Sequence, residues 1–303
     1  MSFTTDDLRR ALPAPAARSG ETGDRAPREP TVLAWAAPGL PDPQEGHSHW
    51  ARGQNFCLAH TTLAPGQAVT EIGVPDEHLV LLPHEGASIT VTTDLGPAVL
   101  DQPGLVIVPP GASSLVSDRQ CTVLRVFTSR ARGIADRTQN AAAYAHPDPA
   151  VAPLPQTPRP PGRPPRVVRL AEIPRDPARL GRILRTDSLM INWFPPQDGP
   201  RDPDKLSPHV HEDFEQASVT LQGDFVHHFR SPWTPRLSEW RPDQAVRCAS
   251  PSVAVIPPGI VHTTRAVDEG RHDLIDVFAP PRADFAALGW VLNADEYPDR
   301  TAP

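Results

Sequence analysis

Short apolar runs, each bounded by turn-forming residues, recur along most of this chain. Leu79-Val80-Leu81-Leu82, Leu105-Val106-Ile107-Val108 and Val253 to Ile256 are continuous, Leu189 to Phe194 and Leu274 to Phe278 are each interrupted by one polar residue, and Ala217 to Leu221 and Ser88-Ile89-Thr90-Val91-Thr92 alternate. Runs of this length at close spacing predict an all-β sandwich or barrel. The strand pattern begins near Thr31, pauses after residue 128 and resumes at Val167. Residues 1–30 are polar and rich in alanine and proline; they read as a mobile segment with a short helix near Asp6 to Leu12. From Tyr144 to Arg166 prolines crowd together, which predicts an extended, semi-rigid linker. The expected division is a first β domain over 31–128, a linker over 129–165, a second β domain over 166–285 and a tail over 286–303.

An internal repeat supports two related domains. Pro103-Gly104-Leu105-Val106-Ile107-Val108-Pro109-Pro110-Gly111 aligns without gaps on Pro251-Ser252-Val253-Ala254-Val255-Ile256-Pro257-Pro258-Gly259. In that register Ser114 falls where His262 stands; a separate alignment of Pro75 to Leu82 on Asp213 to Thr220 sets Glu71 and Gly73 against His209 and His211.

Composition narrows the picture. Forty prolines among 303 residues suit a protein of strands and turns, because proline breaks helix interiors and central strands. A net charge of −7 argues against nucleic acid as the main partner. Three widely spaced cysteines predict a reducing compartment without a disulfide framework. No stretch approaches the roughly 20 apolar residues that span a bilayer, and the N-terminus lacks a basic region followed by an apolar core. The expectation is a soluble, cytoplasmic protein.

The candidate chemistry lies between residues 209 and 262. His209 and His211 are two apart, so on a strand their side chains share a face. Glu215 has the same parity, but along a straight strand it would lie roughly 13 Å beyond His211. The chain must therefore turn within Glu212-Asp213-Phe214 for Glu215 to rejoin them. His262 follows the turn Pro257-Pro258-Gly259. Three imidazoles and a carboxylate delivered by two turns make a plausible shell for one divalent metal. His47-Ser48-His49 has the same spacing, but Gly53 stands where its carboxylate would be needed, and it reads as a surface or interdomain loop. His227 and His228 are adjacent on an expected strand, so one ring points into the barrel and the other out. The inward one is either a core histidine or a group that moves protons or contacts the metal shell. His272 and Asp276 share parity on a later strand and are either outer supports of the site or a solvated edge.

The pattern resembles the cupin superfamily. The first cupin motif, G-x5-H-x-H-x3/4-E-x6-G, is matched by His209, His211, Glu215 and Gly223, with seven residues rather than six before the glycine, and the second, G-x5-P-x-G-x2-H-x3-N, by Pro257, Gly259 and His262. Pro203 and Pro251 replace the upstream glycines, and Ala266 replaces the asparagine. The resemblance implies two double-stranded β-helix (jelly-roll) barrels joined by the proline-rich linker. In this bicupin the first barrel has lost its metal site and the second holds one metal through His209, His211, Glu215 and His262. It also implies an enzyme acting on a small organic substrate. An Fe(II) dioxygenase using O2 is the first reading. A redox-neutral isomerase, lyase, decarboxylase or cyclase using Zn, Mn or Ni is the second, and a non-catalytic ligand-binding cupin the third. A homodimer is a further expectation of the resemblance.

Overall fold

The computed structural model describes residues 7–12, 26–35, 41–42, 46–156 and 162–298. They build two β barrels, each made of a large and a small antiparallel sheet. The first barrel's large sheet runs, edge to edge, Arg166–Arg169, Gly104–Val108, His78–Leu82, Cys121–Thr128, Phe56–Leu63, Gly46–Arg52 and Pro41–Asp42. Its small sheet is Ala68–Val74, Gly111–Ser117, Ile89–Thr93 and Gly96–Leu100. In the second barrel the large sheet runs Thr31–Ala34, Ser252–Ile256, Gln216–Gln222, Arg271–Phe278, Met190–Trp193 and Arg182–Arg185. Its small sheet is Gln244–Ala249, Asp224–Arg230 and Val261–Ala266.

Two strands cross the division expected from the sequence. Thr31–Ala34, assigned there to the first domain, pairs with the second barrel, Thr31 opposite Val255. Arg166–Arg169, which follows the linker, pairs with the first barrel, Arg166 opposite Ile107. Each barrel thus borrows an edge strand from the other half of the chain.

The continuous apolar runs are explained by burial on both faces of one strand. Leu79, Leu81, Leu105 and Ile107 point to the other domain, where they meet Val219, Val253, Val255, Ile275 and Val277 in one core. Val80, Leu82, Val106 and Val108 point the other way and fill the first barrel with Ile89, Val91 and Leu115. The second barrel differs on its inner face. Gln216, Ser218 and Thr220 alternate with Ala217, Val219 and Leu221, so the interdomain face is apolar and the barrel face polar. One barrel is consequently packed with hydrocarbon and the other keeps space for chemistry.

Described residues of both terminal segments pack on the second barrel. Asp7 caps a single 3-10 turn over Leu8–Ala11, and Leu8 and Leu12 pack against the second barrel's cluster of Ile183, Met190, Phe278, Phe285 and Trp290. The rest of the expected mobile segment, residues 1–6 and 13–25, lies outside the described residues. Trp290 and Val291 of the expected tail are buried in the same cluster. Among the described residues no helix is long and apolar enough to cross a membrane.

Candidate metal centre

Backbone pairing brings the two histidine motifs together. His209 and His262 exchange N–H···O bonds of 3.0 and 2.8 Å as an isolated antiparallel bridge. The Gly259 N–H donates to the His211 carbonyl at 2.6 Å. Gly259 has φ +82°, a conformation that favours glycine, so the proline-glycine turn docks against the first motif. The result is a cluster in which one ring nitrogen from each of His209, His211 and His262 lies within 4.8 Å of the others. It is the one such cluster among the described residues.

The rings are oriented for an ion. His209 Nδ1 bonds the Ser207 carbonyl and His262 Nδ1 the Ile260 carbonyl, both at 2.9 Å. Each Nδ1 therefore carries the proton and each Nε2 keeps its lone pair. His262 Nε2 is buried without a partner. Burial drives His262 down to about 4 and holds His209 and His211 well below the usual histidine range. All three are neutral near pH 7, the form that binds a metal. An orphaned buried nitrogen in a neutral triad fits a divalent cation.

Glu215 does not join them, contrary to the expectation from the motif. The turn through Glu212-Asp213-Phe214 occurs, but the strand that follows presents Gln216 to the barrel and Glu215 to the domain seam, as opposite parity requires. The Glu215 carboxylate accepts bonds there from the Gln54 N–H and the Tyr144 hydroxyl. Gly53 leaves the room: a Cβ on it would stand 2.7 Å from that carboxylate. Gln216 takes the inward place, its Oε1 2.8 Å from His211 Nε2 and its Nε2 donating to Ser218 Oγ at 2.9 Å. Two donors held at right angles about 2.1 Å from one ion lie roughly 3 Å apart, so the amide oxygen suits a fourth ligand. The motif's own x4 spacing pointed to this position, and only the preference for a carboxylate passed it over.

Behind the triad, Ser218 Oγ donates to Asp276 Oδ1 at 2.7 Å, extending the chain His211–Gln216–Ser218–Asp276. Burial pushes Asp276 up to about 6. His209, His262, Gln216, Ser218 and Asp276 all line one cavity of about 470 Å³, walled by Phe194, Phe225 and Leu274. His272 also lines it, with Nε2 2.5 Å from Asp268 Oδ1. His227 is the inward ring of its pair; it bonds Thr264 Oγ1 at 2.9 Å and sits behind that cavity-lining residue, while His228 is half-buried on the other face. His49 lies on a first-barrel strand opposite His60, away from the triad; the side chain of His47 is outside the description.

In the first barrel, Glu71, aligned with the first histidine, meets Arg125 Nη1 at 2.6 Å. Arg125 is almost fully buried, donates to Thr61 Oγ1 and lies over the Trp50 ring at 5.0 Å. A guanidinium supplies the positive charge there.

Two histidine-bearing turns at the mouth of the second of two fused jelly-roll barrels decide the architecture. The chain has a bicupin fold. No family model matches it, and no curated protein matches its sequence. Solved structures do. A Lactobacillus farciminis oxalate decarboxylase in a formate complex is 13% identical, with TM-score 0.54 over 83% of this chain and 86% of that one. A tryptophan-to-tyrosine variant of the Bacillus subtilis oxalate decarboxylase is 10% identical, with TM-score 0.53 over 82% of this chain and 77% of that one. At such identities the likeness extends to the bicupin fold.

Proposed function

We propose that the chain is a metal-dependent cupin enzyme that transforms a small organic substrate by proton transfer within the second barrel. The observation that carries this reading is the pairing of a neutral histidine triad with Asp276, a buried carboxyl in the same cavity and linked to His211 through Gln216 and Ser218. His209, His211 and His262, with Gln216 Oε1, would hold the ion, which supplies a Lewis acid for a substrate carbonyl or hydroxyl. Asp276 takes up or returns a proton at its carboxylate, and a value near 6 suits exchange at neutral pH. Ser218 fixes the orientation of that carboxylate and, by accepting from Gln216 Nε2, that of the Gln216 amide. Phe194, Phe225 and Leu274 keep the cavity wall apolar, which strengthens the polar contacts inside it. An isomerase, lyase, decarboxylase or cyclase is the reaction class in view, with Zn, Mn or Ni as the metal.

The Fe(II) oxygenase reading is the runner-up. Three imidazoles and an amide leave two positions on an octahedral ion, enough for substrate and O2, but with Glu215 turned away the site lacks the carboxylate that strengthened the case for iron. Elemental analysis of wild type and His262→Ala, purified together, tests the common core. About one metal per chain in wild type, lost in the variant, is expected. Turnover that persists under anaerobic conditions and falls in Asp276→Asn supports proton transfer; strict dependence on O2 brings the oxygenase forward. A wild type that neither contains nor takes up Fe, Zn or Mn sinks both.

A further inference from the structure

The cavity that holds the triad is framed by positive charge. Arg9, Arg175 and Arg201 line it, against one carboxylate, Asp276. Arg201 is committed to the frame: it donates to Thr264 O at 3.1 Å, Lys205 O at 2.9 Å and Ser207 Oγ at 2.7 Å. Arg175 is exposed at the mouth and makes no ion pair with a described carboxylate.

Arg9 is the unusual member, because it comes from nearly two hundred residues upstream of the barrel motifs. Its segment is fastened at three points. The Asp7 carboxylate accepts from Ser207 Oγ, and Leu8 and Leu12 sit in the apolar cluster of the second barrel. Ser207 also receives Arg201 and, through its carbonyl, orients His209. One residue therefore ties the segment, a basic wall and a triad histidine together. The Arg9 side chain is 15% exposed, yet its guanidinium contacts to Asp7 are long, 3.3 and 3.4 Å. Asp7, which also accepts from Ser207 Oγ, pairs with Arg9, so the wall of the cavity carries three guanidinium groups against two carboxylates, Asp7 and Asp276. A cavity with this excess of positive charge favours an anionic ligand.

We propose that Asp7–Leu12 is a strap that delivers Arg9 to the cavity as the counter-ion of an anionic substrate, an organic carboxylate or phosphate, with Arg175 at the mouth assisting capture. The planar guanidinium pairs two oxygens of either group. The rest of the ligand lies along Phe194 and Leu274 toward the triad. This places a substrate-selecting residue outside both barrels. It rests on the reading of the cavity as the reaction chamber for its orientation, but anion capture by Arg9 is separable from the metal.

Calorimetric titration of the full chain, metal-loaded and metal-free, with benzoate, phenyl phosphate and neutral benzamide tests it. At least one anion should bind about tenfold or more tighter than benzamide in both metal states. Arg9→Met should erase most of that preference while leaving benzamide unchanged, and Arg9→Lys should retain part of it. Leu8→Asp/Leu12→Asp, which frees the strap but keeps the guanidinium, should reproduce the loss. Equal binding of anions and benzamide, or no binding of either anion, overturns the proposal. So does a preference that survives Arg9→Met and disappears with the metal, which would put the anion on the ion and leave the enzyme reading intact. A chain that takes up no metal yet keeps an Arg9-dependent preference would end the metal-enzyme reading and leave the strap standing.

Discussion

Glu215 is the residue on which motif and structure part, and its substitution separates them. The residue is 1% exposed and accepts from two part-buried donors, the Gln54 N–H and the Tyr144 hydroxyl. Glu215→Ala strands both, at about 1–3 kcal/mol each, and leaves a small void besides, so a loss of roughly 3–6 kcal/mol is expected. In a chain of this size that lowers Tm by on the order of 10 °C. Glu215→Gln keeps an acceptor for Gln54 and should cost about 1–2 kcal/mol at low pH. Burial raises the Glu215 carboxyl to about 7, so between 4.5 and 7 the native state holds this proton more tightly than the unfolded chain. Its contribution to stability therefore falls as pH rises through that window, and the glutamine variant should gain on wild type there. Metal content should be unchanged in Glu215→Gln, since neither carboxylate oxygen faces the triad. Elemental analysis alongside thermal unfolding at pH 5 and pH 8 reads both quantities. A variant that keeps its Tm but loses its metal would show that Glu215 is a ligand and refute the parity argument.

Three further outcomes follow from other parts of the molecule. Glu71→Ala leaves the buried Arg125 without its 2.6 Å partner and should cost about 3–5 kcal/mol, whereas Glu71→Leu/Arg125→Met should lie near wild type; denaturant unfolding of the three proteins measures this. His78 is buried against Phe127, and burial lowers it to about 3; the unfolded chain takes up this proton below 6.5 while the native state does not. Stability should thus fall as pH drops from 6.5 toward 3, with a slope near 1.4 kcal/mol per pH unit from this group, and His78→Leu should flatten that limb of the pH–stability curve. Gln216→Glu puts a charged oxygen where the amide stands 2.8 Å from His211, and should tighten Zn or Mn binding by about tenfold or more in competition with a chelator.

Much of this architecture was legible in the sequence, and the reasons are physical. Leu79 to Leu82 and Leu105 to Val108 announced strands because both faces are buried, one in a barrel and one between domains. His209, His211 and His262 were legible because the residues that turn the chain, Pro257 to Gly259 above all, stand beside them. The fourth position was missed since motif spacing allowed two choices and residue type favoured the wrong one; only strand parity decides between Glu215 and Gln216. Asp276 could be set on one face with His272, but whether that face was the site or a solvated edge stayed open, because its contact with Ser218 joins residues from separate strands. The docking of Asp7–Leu12 has no local signal. Two leucines and an aspartate in a polar stretch become meaningful only beside Ser207 and the Phe278–Trp290 cluster.

The exchanged edge strands have a consequence for synthesis on the ribosome. Thr31–Ala34 emerges early, but its partner Ser252–Ile256 is over two hundred residues behind. At roughly 5–20 residues per second, the strand waits on the order of ten to forty seconds before it can pair. During the first part of that interval, until residue 169 is made, the unpaired strand trails from an N-terminal barrel that itself still lacks Arg166–Arg169. The first barrel closes only after the linker and Arg166–Arg169 are translated and the second only near its end, so the nascent chain offers open sheet edges to chaperones and to neighbouring chains alike. Expressing either half alone should yield aggregates, and mixing the two halves during refolding should be what rescues them.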